Sequence, residues 1–219
     1  MASPDFRVRL LLAAAPPALP TRADANIVVA EAPDAGAREA LVKAAWYWTE
    51  AEEVLPKLGH AVSIALTKPP EDDLDHAVAL TRVAAEVGAA LGAGGYLWES
   101  TGLVHDATAF VDQASDASAE DLPLYLWIAF EAREEEPGKI SILTRGMDGF
   151  ERPEVEVDRS TRELEEVLEV VTDASLYVLT ASTALEDGET LEVTRGKVRV
   201  RTMPSLRNDG TKALRLRLP

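Results

Sequence analysis

The segment from residue 124 to residue 158 constrains the fold of this chain more than any other part of the sequence. Between residues 124 and 130, apolar side chains occupy both alternating sets of positions, which is typical of a strand covered on both faces. Like charges, a proline and a glycine then indicate a turn at residues 134–138, and residues 139–144 return as a second strand. We therefore predict a central hairpin, with Trp127 in its first strand as a core or interface anchor.

A glycine-containing turn follows this hairpin. Gly146 and Gly149 lie three residues apart. We predict a positive φ at both, because glycine adopts such angles without a Cβ clash. A third strand then begins at Pro153. Its acidic residues occupy alternate positions and share one face, and they are Glu154, Glu156 and Asp158.

Short pieces of this region, taken together, resemble the signature of a bacterial family known as domain of unknown function 4261. They are residues 144–150, residues 153–156, residues 122–123 leading to Trp127, Tyr177 in a following strand, and residues 187–190. The resemblance extends from about Ile27 onward, and it departs at Glu151, where the family pattern has a small residue. The resemblance implies no activity, because the family has none assigned to it.

The composition indicates a soluble globular protein. A chain of 219 residues that is 47% hydrophobic can bury a sizeable core, as one large domain or two small ones. A net charge of −16 argues against nucleic-acid binding, because phosphates would be repelled. The absence of cysteine excludes disulfides and thiolate chemistry and suits a reducing cytoplasm. No apolar run approaches the roughly 20 residues that a membrane helix requires, so we expect no membrane association.

The first residues allow two interpretations. Phe6, Val8 and Leu10 alternate with arginines, as in an amphipathic strand. Arginines before an apolar run, followed by an Ala-Asp-Ala site, also imitate a secretory signal, but Asp5 and a pair of prolines interrupt that pattern. We expect residues 6–14 to be part of the sheet and the protein to be cytoplasmic, with secretion as the less favoured alternative.

Helices and strands alternate along the rest of the chain. The predicted helices follow capping residues or turns, and they begin at Asp34, at Asp72 or Asp73, at Val104 and at a capping box on Ser160. The further predicted strands are residues 26–31, 61–66, 96–98, 176–179, 197–203 and 214–218, the last two joined by an Asn208-Asp209-Gly210 turn. The strand, helix and strand over residues 61–98 form a β-α-β unit with parallel strands.

These elements predict an α+β fold with a mixed β-sheet, β-α-β units, C-terminal antiparallel hairpins and helices packed on the sheet. The chain has no clear linker, so we expect a single domain over residues 1–219. Two halves, residues 1–118 and 119–219, are the alternative division. Strand pairs alternate with helices in both halves, which would also fit a duplicated α/β sandwich.

The best catalytic candidates are acids of the third strand and its preceding turn. Glu154 and Glu156, with Asp148, would suit a hydrolase if their environments separate their pKa values. Carboxylates on an exposed strand face are more often solvated or paired with cations, which is the structural interpretation. The three histidines are far apart in sequence, and no phosphate loop or nucleophile motif is present. The sequence therefore predicts no metal site and no cofactor.

The C-terminal segment is basic although the whole chain is acidic. From Arg195 onward, eight basic residues accompany one acid. Arg195, Lys197, Arg199 and Arg201 alternate, so a strand would place all four on one face. That face is either an internal ladder against the acids of the third strand or a patch for an acidic partner. We favour the ladder, because the chain has a large surplus of acids.

Protein binding without catalysis is the function that fits these patterns best. We expect a bacterial adaptor or immunity-like module, an inference by analogy, in which a protein partner contacts Trp127, Arg145, Lys197, Arg199 and Arg201. The alternative is a hydrolase-type enzyme that uses the acids of the turn over residues 144–156. A binding module requires an exposed patch, whereas an enzyme requires a cleft with converging acids.

Overall fold

A computed structural model of the chain describes residues 6–207 and 209–218. The chain divides into two compact units, Met1–Trp127 and Ile128–Pro219. The division falls between Trp127 and Ile128, later than the boundary between residues 118 and 119. Each unit contains its own sheet with helices, which confirms the predicted α+β class.

The first unit contains a five-stranded sheet. In chain order the strands are β1 (Val8–Leu12), β2 (Ala25–Ala30), β3 (His60–Leu66), β4 (Gly95–Trp98) and β5 (Leu103–Asp106). Their order in the sheet is β2-β3-β1-β4-β5, and all neighbouring pairs are antiparallel. The strand predicted over residues 6–14 is present as β1, but it covers only Val8–Leu12. It is the central strand of the sheet, and its residues Val8 and Leu10 are fully buried.

The described residues of this unit also form five helices. They are α1 (Ala35–Ala44), α2 (Ala51–Val54) continued by a 3₁₀ turn (Leu55–Lys57), α3 (Asp73–Leu91), α4 (Ala107–Asp116) and α5 (Leu124–Trp127). The predicted caps hold at α3, where the Asp72 carboxylate accepts from two backbone N–H groups and Gly92 ends the helix with φ 67°. Both β3 and β4 are antiparallel to β1, so they run in the same direction with β1 between them.

The helix predicted to begin at Val104 begins three residues later. Val104 pairs with Leu97 across β4 and β5, and the Asp106 carboxylate then accepts from the Ala109 backbone N–H at 2.9 Å. The helix starts at Ala107 because Asp106 is its N-cap. The apolar residues before it belong to a strand instead.

The strand predicted from residue 124 is also wrong over its first half. Leu124–Trp127 is a single helical turn, in which the Leu126 N–H donates to the Pro123 carbonyl at 2.9 Å. A short apolar segment can be a buried strand or a buried helical turn, so the periodicity of the sequence alone could not distinguish the two. Trp127 is nevertheless fully buried, as predicted.

The second unit contains a six-stranded mixed sheet and one long helix. The strands are β6 (Ala129–Glu136), β7 (Lys139–Arg145), β8 (Glu154–Ser160), β9 (Thr190–Val193), β10 (Gly196–Pro204) and β11 (Lys212–Arg217), and the helix is α6 (Leu164–Thr180). The sheet order is β6-β7-β8-β11-β10-β9, in which β8 and β11 are parallel and the other pairs antiparallel. Both predicted hairpins form, although Asn208 of the second turn lies outside the described residues.

The helix α6 differs from prediction at both ends. Ser160 is the last residue of β8, paired with Ile140, so the helix begins at Leu164 without the predicted capping box. The predicted strand at residues 176–179 is instead the end of this helix. Buried residues continue at helical spacing through Val171, Ala174 and Val178, and that pattern extends the helix to Thr180.

The two sheets differ in strand order and in pairing, so the predicted duplication is not visible in their topology. No helix in the described part of the chain is both long enough and apolar enough to cross a membrane.

Candidate functional site: an arginine-rich face and cleft in the second unit

Glu156, one of the catalytic candidates, is fully buried and saturated with hydrogen bonds. The Ser205 hydroxyl donates to its carboxylate at 2.7 Å, the Leu206 N–H donates at 3.1 Å, and Arg215 Nη2 lies 3.2 Å away. Buried carboxylates require such partners, because an unpaired charge in the interior is costly. Glu156 therefore fixes the segment after β10 and the side chain of Arg215. Of the two structural alternatives, it is paired with a cation opposite it and is not solvated.

Glu154 holds the glycine-containing turn. Its carboxylate accepts from the Thr144 hydroxyl at 2.6 Å, from the Gly146 N–H at 2.8 Å and from the Met147 N–H at 3.1 Å. Burial raises the pKa of Glu154 above its ordinary value, and the charge of Asp148 adds to that rise against the opposing hydrogen bonds. Asp148 itself is exposed. The three candidates thus do not share one set of partners, and two of them have structural roles.

The turn contains two residues with positive φ, of which one, Gly146, was predicted. Gly146 has φ 119°, and the second such residue is Glu151 with φ 54°, whereas Gly149 lies within a 3₁₀ turn (Met147–Phe150). A non-glycine residue in this conformation costs roughly 1–2 kcal/mol.

Arg145, a predicted binding residue, belongs to an internal ion cluster. Its Nε lies 2.9 Å from Glu131, which also contacts Arg207 at 3.1 Å and Arg133 at 3.2 Å. Burial alone would raise the pKa of Glu131, but the hydrogen bonds and charges of Arg145 and Arg207 outweigh it and hold that pKa below its usual value. Sequence reasoning missed Glu131 and Arg207, which are distant from Arg145 along the chain.

Trp127, another predicted binding residue, is not available at the surface. Its side chain is fully buried, and its indole N–H donates to the Thr81 hydroxyl at 2.9 Å. The structure therefore favours the core role over the interface role for this residue.

The predicted ladder between β10 and the acids of β8 does not form. The strand β11 lies between them, so Glu156 is opposite Arg215 of β11, while Lys197 of β10 is opposite Glu192 of β9. The prediction failed because the parallel pairing of β8 with β11 places two strands in contact that are far apart in sequence. Glu156 does have a cationic residue opposite it, but that residue is Arg215 of β11 and not a residue of β10.

Four arginines of the β10–β11 hairpin form a block, which we call the arginine quartet. Arg199 is directly opposite Arg217, and Arg201 is directly opposite Arg215, so the four side chains share one face of the sheet. Arg201 pairs with Asp187 at 3.1 Å and Arg215 with Glu156 at 3.2 Å. Arg199 and Arg217 are exposed, and their side chains have no hydrogen-bond or ion-pair partner among the residues that the structure describes. Arg195, before β10, is paired separately with Glu169 at 2.6 Å.

A cleft of about 460 Å³ adjoins the quartet, where the carboxyl ends of the parallel strands β8 and β11 meet. Five arginines line it, together with one carboxylate and two hydroxyl side chains. They are Arg159, Arg162, Arg201, Arg215 and Arg217, with Asp158, Ser160 and Thr161. This lining can bind an anion, because guanidinium groups match the oxygens of carboxylates and phosphates.

Arg159 occupies this cleft in a strained backbone conformation. Its φ is 46°, and it lies in a bulge where the pairing shifts between Ile140↔Ser160 and Ile142↔Val157. The Arg159 N–H donates to the Ser141 hydroxyl at 3.0 Å, which fixes the bulge. Bulges redirect side chains, and strained residues accumulate at functional sites. The bulge directs an arginine into the cleft wall.

The sequence contained a partial signal for this cleft. Arg215 and Arg217 alternate on the last strand as Arg199 and Arg201 do on the one before, so a hairpin between them stacks arginine pairs. Arg159 and Arg162 carried no such signal, since only the parallel pairing of β8 with β11 brings them to the same edge.

No group of three or more metal-ligating side chains occurs within residues 6–207 and 209–218. Neither the search of curated proteins nor the search of solved structures found a match. One family model, described as a domain of unknown function (DUF4261), matches residues 143–217. That segment includes the turn, Tyr177 and residues 187–190, but not residues 122–127 or the region from Ile27, to which the resemblance extended. The second unit is therefore similar to this family over residues 143–217, which is about a third of the chain.

Proposed function

We propose that this chain is a protein-binding module without catalytic chemistry, and that the arginine quartet receives an acidic segment of a partner protein. The observation that carries the proposal is the pair Arg199–Arg217, two like charges directly opposite each other on an exposed face. Such pairs are destabilising in an isolated sheet. An acidic ligand placed between them would remove the repulsion and gain charge-assisted hydrogen bonds.

The neighbours of this pair support the proposal. Arg199 has neutral Thr190 on its other side in β9, and the acids nearest the quartet, Asp187 and Glu156, are already engaged by Arg201 and Arg215. The internal acids therefore satisfy half of the quartet and leave the other half for an external anion.

An acidic polypeptide suits this face better than a nucleic acid. The chain as a whole carries a net charge of −16, so a long polyanion would meet repulsion beyond the quartet. A short acidic segment can contact the quartet without covering the acidic surface. An adaptor or immunity-like role in a bacterial cytoplasm agrees with this mode of binding, and the lack of cysteine fits a reducing compartment.

Two of the three carboxylates that a hydrolase would use have structural roles. Glu154 caps the turn and Glu156 fixes the segment at Ser205, so neither presents a free oxygen pair to a substrate. We therefore favour binding over the enzymatic alternative.

The proposal is tested with a short, fluorescein-labelled, glutamate-rich peptide and fluorescence anisotropy. Wild-type protein should bind the peptide, and binding should weaken at high salt as the charges are screened. The double variant Arg199→Gln/Arg217→Gln should lose binding at least tenfold. The control is Arg82→Gln, which removes an exposed arginine of α3 in the first unit and should bind as the wild type does. Equal binding by the double variant and the wild type would refute the proposal.

A further inference from the structure

We propose that the cleft beside the arginine quartet binds a phosphate monoester group, either a phosphorylated side chain of the acidic partner or free phosphate. This inference rests on the proposed function, because the cleft shares Arg201, Arg215 and Arg217 with the quartet. It adds the chemical class of the group that the site selects.

The number and kind of donors favour phosphate over carboxylate. Five guanidinium groups line the cleft against one carboxylate, Asp158. A phosphate monoester offers three acceptor oxygens and a charge of about −1.5 to −2 at neutral pH, whereas a carboxylate offers two oxygens and one charge. Arginine forks bind phosphoryl oxygens in pairs, and neighbouring Ser160 and Thr161 add hydroxyl donors.

Two arginines of the cleft lining have hydrogen-bond donors without an acceptor. The Arg217 guanidinium has no ion-pair or hydrogen-bond partner among the described residues. Arg215 Nε is buried and has no hydrogen-bond partner within that same part of the chain, although its two Nη atoms contact Glu156 and Asp158. Buried donors without acceptors are rare in folded proteins. An anion in the cleft would supply acceptors on the strand face that these two arginines share.

The topology gives this cleft a fixed shape. The strands β8 and β11 are parallel neighbours, so Ser160 and Arg217 end at the same edge of the sheet. In doubly wound sheets, ligands also bind beyond the carboxyl ends of parallel strands. The cleft volume of about 460 Å³ lies within the range of small-ligand sites, so it can admit a phosphorylated side chain and its flanking backbone.

Arg159 gives an independent reason to place a ligand here. Glycine would relieve the strain of this left-handed backbone conformation. The position nevertheless carries an arginine, and its side chain lines the cleft. The neighbouring Asp158 lies 3.3 Å from Arg159 and 3.8 Å from Arg215. A dianion would compete with this carboxylate for the same guanidinium groups, so Asp158 limits the affinity of the empty cleft for weaker anions.

Three forms of one glutamate-rich peptide test the inference by isothermal titration calorimetry: with a central serine, with phosphoserine and with glutamate at that position. The phosphorylated form should bind at least tenfold more tightly than the other two. Its affinity should rise from pH 5.5 to pH 7.5, because the second phosphate ionisation has a pKa near 6. Peptides without phosphate should show no such rise, since glutamate is ionised throughout that interval.

Variants locate the binding in the cleft. Arg217→Gln and Arg159→Gln should each lower the affinity for the phosphorylated peptide about tenfold. Asp158→Asn should raise this affinity severalfold. The exposed arginine variant Arg82→Gln should leave it unchanged. Arg159→Gly should raise the melting temperature and lower the affinity for the phosphorylated peptide. A loss of binding in a more stable variant cannot result from unfolding.

The outcomes are distinct for the two proposals. Equal affinities for the three peptides, with loss on Arg199→Gln/Arg217→Gln, would overturn the phosphate inference and leave the acidic-partner proposal intact. No binding of any peptide would overturn both. A titration with inorganic phosphate separates the sources: affinity equal to that of the phosphopeptide indicates free phosphate, and much weaker affinity indicates a phosphorylated side chain.

Discussion

Arg199 lies directly opposite Arg217 across the antiparallel strands β10 and β11, and neither guanidinium is paired with an acid of the described residues. Opposed like charges usually weaken a strand pair. The hairpin tolerates them because both side chains are exposed and screened by water. The arrangement contradicts the internal ladder that the sequence favoured for Arg199, and it makes the effect of a charge reversal predictable.

We predict that Arg199→Glu raises the melting temperature at low salt. The new carboxylate would face Arg217 and replace a repulsion by an attraction, worth up to about 1 kcal/mol at an exposed site. The gain should shrink in high salt. Thermal melts at two salt concentrations measure it. The double variant Arg199→Glu/Arg217→Glu should lose the gain, because like charges again oppose each other. A lowered melting temperature for Arg199→Glu alone would show that Arg199 has an internal acidic partner.

Local signals in the sequence were sufficient for many elements. Asp34 and Asp72 cap helices where predicted, since each carboxylate accepts backbone N–H groups within three residues. The alternation of Phe6, Val8 and Leu10 with arginines predicted a strand near the start of the chain, and Val8–Leu12 is the central strand of the first sheet. These features depend on residues close together in sequence, so they could be predicted without knowing the fold.

The site depended on information that is not local. The ladder partner of Glu156 is Arg215, and that pairing follows from the insertion of β11 between β8 and β10. Alternation predicted which residues share a face but could not order the strands. Likewise, the apolar residues at Leu124–Trp127 fit a strand or a helical turn equally, and tertiary packing decided between them.

We predict that Trp127→Ala lowers the free energy of unfolding by about 3–5 kcal/mol, the range for removing a large buried aromatic side chain. Trp127 is fully buried, its ring lies 5.9 Å from that of Trp98, and its N–H is bonded to Thr81. Trp127→Phe should cost less, because it keeps most of the buried ring. Denaturant unfolding measures both. An unchanged midpoint for Trp127→Ala would place the side chain at the surface and restore its candidacy for binding.

We predict that Glu151→Gly stabilises the protein by about 0.5–1 kcal/mol. Glu151 has φ 54°, which glycine adopts without Cβ crowding, while the greater backbone entropy of glycine in the unfolded chain offsets part of the gain. Glu151→Ala is the matched control, since it removes the same side chain but retains the Cβ. Chemical denaturation should rank glycine above alanine. Equal stabilities would mean that the backbone at this position is not left-handed in solution.

The final prediction concerns His105, which is buried in β5 with its Nε2 3.2 Å from the Leu126 carbonyl oxygen. A carbonyl only accepts, so we assign a hydrogen to Nε2. Burial lowers the pKa of His105 from 6.5 to about 4, against the smaller opposing effects of the Leu126 hydrogen bond and the Asp106 charge.

Because this pKa is depressed in the folded state, the contribution of His105 to stability is complete above pH 6.5 and is lost as the pH falls toward 4. In that interval the unfolded chain binds a proton that the folded protein excludes. The loss approaches about 1.4 kcal/mol per pH unit well below pH 6.5, so about 1.5 kcal/mol disappears between pH 6.5 and pH 5. We expect His105→Gln to lack this part of the pH dependence, whatever its stability at pH 7. His60→Gln, at an exposed histidine, should retain it. Urea unfolding of the three proteins at pH 7, 6 and 5 measures the slopes, and parallel slopes for wild type and His105→Gln would show that His105 is protonated in the folded protein.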